Sequence, residues 1–183
     1  MESTAIQILK EMLESRGIKR TEEETIAAAL DDTKMYNYAG VLIVFSTKTR
    51  VGNSELTAFL KFAEENGYNA GIIIISQTPI SESVQDSLIK HVSEKSNPLV
   101  QIFEIRKLQF NISKHRKVPH HKLLSDSEKA EIVKLYEPDK MPKILCQDEM
   151  AKFIGARPGD VVEITGMCQT SSENKRWRYC VPY

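Results

Sequence analysis

The sequence predicts an α/β N-terminal domain with a small parallel-type sheet and flanking helices, followed by a small α+β C-terminal domain. Two observations carry the first part: the apolar runs 41–45, 72–75 and 99–103 are too continuous to alternate, and helical patterns separate them. A third observation divides the chain. Residues 1–105 hold 10 Lys or Arg against 15 Asp or Glu, and residues 106–183 hold 15 against 10. The turnover falls on the stretch 109–124, where Lys114, Arg116, Lys117 and Lys122 sit among His115, His120 and His121. No acid lies between Glu104 and Asp126. We place the domain boundary at 105/106.

The elements follow in order. Ala5, Ile6, Leu9, Met12 and Leu13 recur at helical spacing, and Gly17 stops that helix. Thr21-Glu-Glu-Glu24 is a capping box that predicts a second helix, with Ile26, Ala29 and Leu30 inward. The strand at 41–45 precedes a helix over 54–66, capped by Ser54 and closed by Gly67, with Leu56, Phe59, Leu60 and Ala63 on one side. After the strand at 72–75, Thr78-Pro79 and Ser81 open a helix that buries Val84, Leu88 and Val92. A third strand covers 99–103.

In the second domain, Ser125-Asp-Ser-Glu128 is another capping box, and its helix carries Ile132, Val133, Leu135 and Tyr136 up to Pro138. A short strand is expected at Ile144-Leu145. Asp148 caps a brief helix closed by Gly155, and Arg157-Pro-Gly-Asp160 is a turn signal. Residues 161–165 and 176–181 then form a hairpin joined by the polar loop 169–175, with two helices against one side of the sheet.

Chemistry-bearing motifs are sparse. The loops after the first two apolar strands are neither Gly-x-Gly-x-x-Gly nor Walker loops, so nucleotide binding has little support. Lys48 and Arg50, on the first of these loops, are candidate contacts to a DNA phosphate backbone; the competing reading is two solvated charges. Adjacent His120 and His121 would point to opposite sides of a strand, and no Asp, Glu or Cys within the stretch completes a metal site. Pro138-Asp139, Glu173-x-Lys175 and Asp32-x-Lys34 match the letters of a metal-dependent nuclease without its strand context. No serine or cysteine sits in a nucleophile motif. No catalytic, cofactor or metal site is expected. Three scattered cysteines suit a reducing compartment, and no apolar run approaches the roughly 20 residues of a membrane span.

From Phe110 onward the sequence resembles the fifth subunit shared by eukaryotic nuclear RNA polymerases, and is similar to the archaeal polymerase counterpart of that subunit. The likeness rests on Asn111-Ile-Ser-Lys-His115, Val118-Pro119-His120 and the helix start at Leu124-Ser125. It continues through Met141-Pro-Lys-Ile144, Asp148, Ala151-Lys-Phe153, Gly155 and Arg157-Pro-Gly-Asp-Val-Val-Glu-Ile164. The front half resembles the eukaryotic jaw domain more weakly. Gly166-Met-Cys-Gln-Thr-Ser and Trp177-Arg178-Tyr179-Cys180-Val181 depart from the family pattern and mark a divergent or virus-encoded member.

The resemblance implies a non-catalytic subunit of a DNA-directed RNA polymerase, without cofactor and without membrane contact. Its C-terminal assembly domain would dock on the largest catalytic subunit, beside other polymerase subunits. The docking residues would be Asn111, His115, Val118, Pro119, His120, Pro142, Gly155, Arg157, Gly159, Arg178 and Tyr179. The jaw would lie near downstream duplex DNA. Location in the nucleus is implied, or in a cytoplasmic replication site or virion for a viral protein. The alternative is a stand-alone DNA-binding protein or an inactive nuclease-like module.

Overall fold

The computed structural model describes residues 1–18, 24–26, 33–168 and 171–183. They gather into two compact units, Met1–Phe110 and Asn111–Tyr183.

In the first unit, α1 (Glu2–Ser15) precedes β1 (Glu24–Ile26), β2 (Lys34–Tyr38) and β3 (Val41–Phe45). Then come α2 (Asn53–Glu65), β4 (Gly71–Ser76), α3 (Glu82–Ser93), β5 (Val100–Glu104) and a 3-10 turn at Ile105–Gln109. The sheet runs β1-β2-β3-β4-β5. The three apolar strands β3, β4 and β5 are parallel, but β1 and β2 add antiparallel, so the sheet is mixed rather than purely parallel. The sequence missed β2 because Lys-Met-Tyr-Asn-Tyr carries little apolar signal. Its placement comes from the two-residue turn Ala39-Gly40, with φ 50 and 83, which folds β2 straight back onto β3.

The predicted helix over 21–30 meets a strand at Glu24–Ile26, where backbone pairing to β2 supersedes the capping signal. Thr21, Ala29, Leu30 and Asp32 lie outside the described residues. Ser54 does not cap α2; Gly52 stands at the cap, and its backbone N–H donates to Glu55 Oε2 at 3.2 Å.

Every residue of β3 and β4 is buried, as strands covered on both faces must be. One face, with Leu42, Val44, Ile72, Ile74, Val100 and Ile102, packs with Leu56, Phe59 and Ala63 of α2 and with Val84, Leu88 and Val92 of α3. The other face carries Ile43, Ile73 and Gln101. There Arg16, just past α1, donates from Nη2 to Gln101 Oε1 at 2.7 Å. The buried α1 stripe Ala5, Ile8, Leu9, Met12 and Leu13 supplies the apolar cover.

The second unit opens with a 3-10 turn, Ile112–Lys114. It continues with β6 (His120–Leu123), α4 (Asp126–Leu135), a 3-10 turn at Pro138–Lys140 and β7 (Lys143–Leu145). Then come α5 (Glu149–Ile154), β8 (Val161–Cys168) and β9 (Ser171–Val181). Its sheet order is β6-β8-β9-β7, with β7 parallel to β9 and the other pairs antiparallel. The hairpin is longer than the sequence suggested. Residues 171–175 belong to β9, so most of the expected polar loop is strand, paired with β8. Glu173 and Lys175 therefore sit on β9 rather than in a loop.

Both caps read from sequence are present. Ser125 Oγ accepts from the Glu128 N–H, Glu128 Oε2 accepts from the Ser125 N–H at 2.9 Å, and Asp148 Oδ1 accepts from the N–H groups of Met150 and Ala151. The packing of α4 differs from expectation. None of its residues is buried, whereas α5 buries Met150, Ala151 and Phe153.

Candidate docking surface

The residues singled out in the second unit divide into those that shape backbone and those that form surface. Asn111 is buried, and its Oδ1 accepts from the Ser113 N–H at 3.0 Å and from Ser113 Oγ at 2.6 Å, fixing the first turn of the unit. Gly155 ends α5 in the left-handed region, at φ 77, where a side chain would be strained. Gly159, at φ 91, completes the turn in which the Asp160 N–H donates to Arg157 O at 3.0 Å. Asp160 Oδ2 in turn accepts from the Arg157 N–H at 2.9 Å. Burial pushes the Arg157 guanidinium below its ordinary pKa, against the pull of the Asp160 charge.

Val118, Pro119 and His120 come together along an open groove of about 470 Å³, which Arg116, Lys117 and Arg176 also line. His115 holds the approach to it: its Nδ1 accepts from the Lys117 N–H at 3.2 Å, and its carbonyl accepts from the Val118 N–H at 2.9 Å. On the far side of Pro119, the strand β8 approaches closely at Gly166. A Cβ there would stand 3.2 Å from Pro119 Cβ, close enough that the proline would have to give by a few tenths of an ångström.

Pro142 lies elsewhere, on a second groove of about 430 Å³ lined by Leu135, Tyr136, Lys140, Met141 and Trp177. Its carbonyl accepts from the Tyr179 N–H at 2.9 Å. Arg178 Nη1 donates to Lys143 O at 3.1 Å, and the Lys143 ammonium stands 5.1 Å from the centre of the Tyr179 ring. Arg178 and Tyr179 thus tie β9 to β7.

Sequence reasoning missed Leu135, Tyr136, Met167 and Trp177 as surface features. Leu135 is 73% exposed and Met167 is 90% exposed, values unusual for large apolar side chains. The legible signal was the apolar face of α4 read against the short strands available to cover it.

Lys48 and Arg50 belong to the first unit. Both are exposed, on the loop after β3, and Lys48 Nζ lies 3.6 Å from Glu55 Oε1. Thr78 Oγ1 donates to Thr49 O at 2.5 Å, joining this loop to the one after β4.

Burial pushes the Cys180 thiol up to about 12 and raises Cys146 as well, which keeps both thiols protonated. Among the described residues, no group of three or more His, Cys, Asp or Glu side chains could hold a metal ion. No helix among them is long and apolar enough to cross a membrane.

Comparison with known proteins gives a consistent result. Residues 110–180 match the family model described as RNA polymerase Rpb5, C-terminal domain. The chain is 28% identical over 143 residues to the DNA-directed RNA polymerases I, II, and III subunit rpabc1 of Dictyostelium discoideum, covering 77% of this chain and 72% of that one. It is 39% identical over 80 residues to the DNA-directed RNA polymerase subunit Rpo5 of Aeropyrum pernix, covering 43% of this chain and 89% of that one. Against the Rpo5 subunit of Pyrococcus horikoshii it is 38% identical over 77 residues, covering 41% and 94%.

Proposed function

The chain belongs to the Rpb5 family of RNA polymerase subunits, and we propose that it docks on the largest subunit of a multisubunit DNA-directed RNA polymerase through its C-terminal unit. It adds no catalytic group of its own. The observation that carries this reading is one of extent. The archaeal Rpo5 subunits are matched over 89% and 94% of their length by 80 and 77 residues of this chain, a stretch close in length to the second unit, and the family model falls at residues 110–180. A unit that suffices as a subunit elsewhere must carry its own attachment surface.

Physical features of the second unit support the reading. It leaves Leu135, Tyr136 and Met167 exposed, more large apolar surface than so small a body needs to show water. Docking would bury such groups, with Val118, Pro119, His120 and Pro142 lining the two grooves, and Arg157, Arg178 and Tyr179 as further contacts. Asn111, His115, Gly155 and Gly159 would act by holding the backbone that presents these side chains.

The first unit takes the jaw role beside downstream duplex DNA. Support comes from the Dictyostelium relative, whose match covers 143 residues and so extends well beyond the second unit. Residues 1–105 carry five more acids than bases, so any DNA contact there is local, at Lys48 or Arg50, and weakened by salt. The nucleus is the matching location, given relatives named for polymerases I, II and III.

The test is affinity purification of the tagged chain from its own cells or infected host at moderate salt. Recovery of the two large catalytic polymerase subunits in equal amount supports the proposal. Recovery of nucleic acid or small factors without those subunits overturns it.

A further inference from the structure

We propose that the groove between residues 116–120 and the β8–β9 hairpin binds the phosphate backbone of a nucleic-acid strand. The groove brings together four positions, two of its sides being distant in sequence: Arg116, Lys117 and His120 from one, and Arg176 of β9 from the other. Among the described residues, no acid lines it. The neighbouring cations are compensated: Lys122 pairs with Glu128 at 2.6 Å and Lys175 with Glu163 at 3.6 Å. Arg116, Lys117 and Arg176 are exposed, and none of the described acids pairs with them. Uncompensated like charge crowded into one groove opposes folding of the isolated chain, and an anionic ligand relieves that repulsion.

The polar chemistry selects the kind of anion. The charged side chains of the groove are donors, and the amide oxygen of Asn174 already faces Arg176 Nε at 3.5 Å. An acidic peptide brings backbone N–H groups that need acceptors, whereas the phosphates of a polynucleotide are acceptors only. A volume of about 470 Å³ exceeds what a single phosphate fills and leaves room for a short run of backbone. Apart from His120 the lining holds no aromatic ring on which a base could stack, so binding is through the backbone and tolerant of sequence. Pro119 sets the floor, held against β8 by the close approach at Gly166.

The test uses the full chain and fluorescein-labelled strands of about 16 nucleotides, as RNA, single-stranded DNA and duplex DNA, followed by anisotropy. Three phosphate contacts predict an affinity that falls about 40-fold for duplex DNA, and about 18-fold for a single strand, between 50 and 200 mM salt, with little dependence on base sequence. The Arg116→Gln, Lys117→Gln, Arg176→Gln triple variant should bind at least about tenfold more weakly at the lower salt and lose most of the salt dependence. Arg176→Gln alone, a milder change, should lose part of both, and a Lys61→Gln, Lys90→Gln variant, which removes two exposed charges far from the groove in sequence, should match the wild type. The three probes then identify whether RNA, single-stranded or duplex DNA is preferred. Absence of binding at the lower salt, an unchanged triple variant whose thermal midpoint is intact, or displacement of the strand by polyglutamate at equal charge would each overturn the proposal.

Discussion

The ring of Tyr136 lies over that of Trp177, with centroids 5.9 Å apart and planes inclined by 25°. Trp177 Nε1 is buried there without a hydrogen-bond partner among the described residues, while Leu135 beside it is 73% exposed. A donor shielded from water and an aliphatic side chain left in it both suit a surface completed by another protein.

That arrangement separates folding from assembly. Leu135→Asp removes exposed apolar surface and should leave the thermal midpoint within about 4 °C of wild type. The same variant should lower recovery of the large polymerase subunits at least about tenfold, the loss expected when a charge enters a docking surface at a cost of roughly 1.4 kcal/mol or more. Wild-type recovery by Leu135→Asp would remove this groove from the interface.

The cap of α4 predicts a response to acid. Hydrogen bonds from Lys122 and from the backbone and side chain of Ser125 pull Glu128 from its ordinary 4.5 down to about 2. A carboxyl whose pKa is depressed on folding stabilises the fold above its unfolded pKa and stops doing so as pH falls through its folded value. The contribution of Glu128 should therefore be complete above pH 4.5 and vanish between that value and about 2. Carboxyl titration by NMR should place the Glu128 midpoint near the lower figure, and Lys122→Met should move it upward. A wild-type midpoint near the ordinary value would contradict the cap. Ser125→Ala should cost about 1 kcal/mol, read from the urea midpoint.

At the end of α5 the backbone itself is the constraint. Gly155→Val must hold a β-branched side chain at φ 77, so we expect a loss of about 1–2 kcal/mol in the second unit. Gly155→Asn, which tolerates that region, should lose less. Equal losses for the two, at unchanged urea m-value, would mean that space rather than conformation is at issue.

Arg16 and Gln101 form a different kind of bond. Burial lowers the arginine to about 10, and Gln101 Oε1 accepts from it on a buried sheet face. Gln101→Leu should cost about 1.5–3 kcal/mol, the range for a hydrogen bond to a charged group. Replacing both partners, Arg16→Met with Gln101→Leu, should recover most of that loss. A double variant as unstable as the sum of the singles would show that the pair is uncoupled.

Legibility from sequence followed local chemistry. Val41–Phe45 and Gly71–Ser76 announced themselves because burial on both faces demands unbroken apolar residues. Ser125, Asp148, Gly155 and the Pro158-Gly159 turn were readable because each acts within four residues of itself. The strand Lys34–Tyr38 and the stretch 171–175 were not, since backbone pairing to a neighbour holds them and their composition does not. Both grooves are products of tertiary structure: Arg176 meets Arg116, and Trp177 meets Tyr136, only after β9 is laid against β8. The polymerase relationship was legible in the strings around Asn111, Pro119, Gly155 and Gly159, and residues 110–180 match the family model.

The order of strands carries a consequence for synthesis on the ribosome. In the first sheet each strand pairs with its neighbour in sequence, so the sheet can grow as the chain emerges. In the second, β7 pairs only with β9, and Ile144 must wait for Cys180. Until then a half-built sheet offers its open edge to chaperones or to neighbouring chains, and the stack of Tyr136 on Trp177, part of the proposed attachment surface, does not exist. On that proposal, joining a polymerase is deferred until the hairpin has been made, a timing set by topology alone.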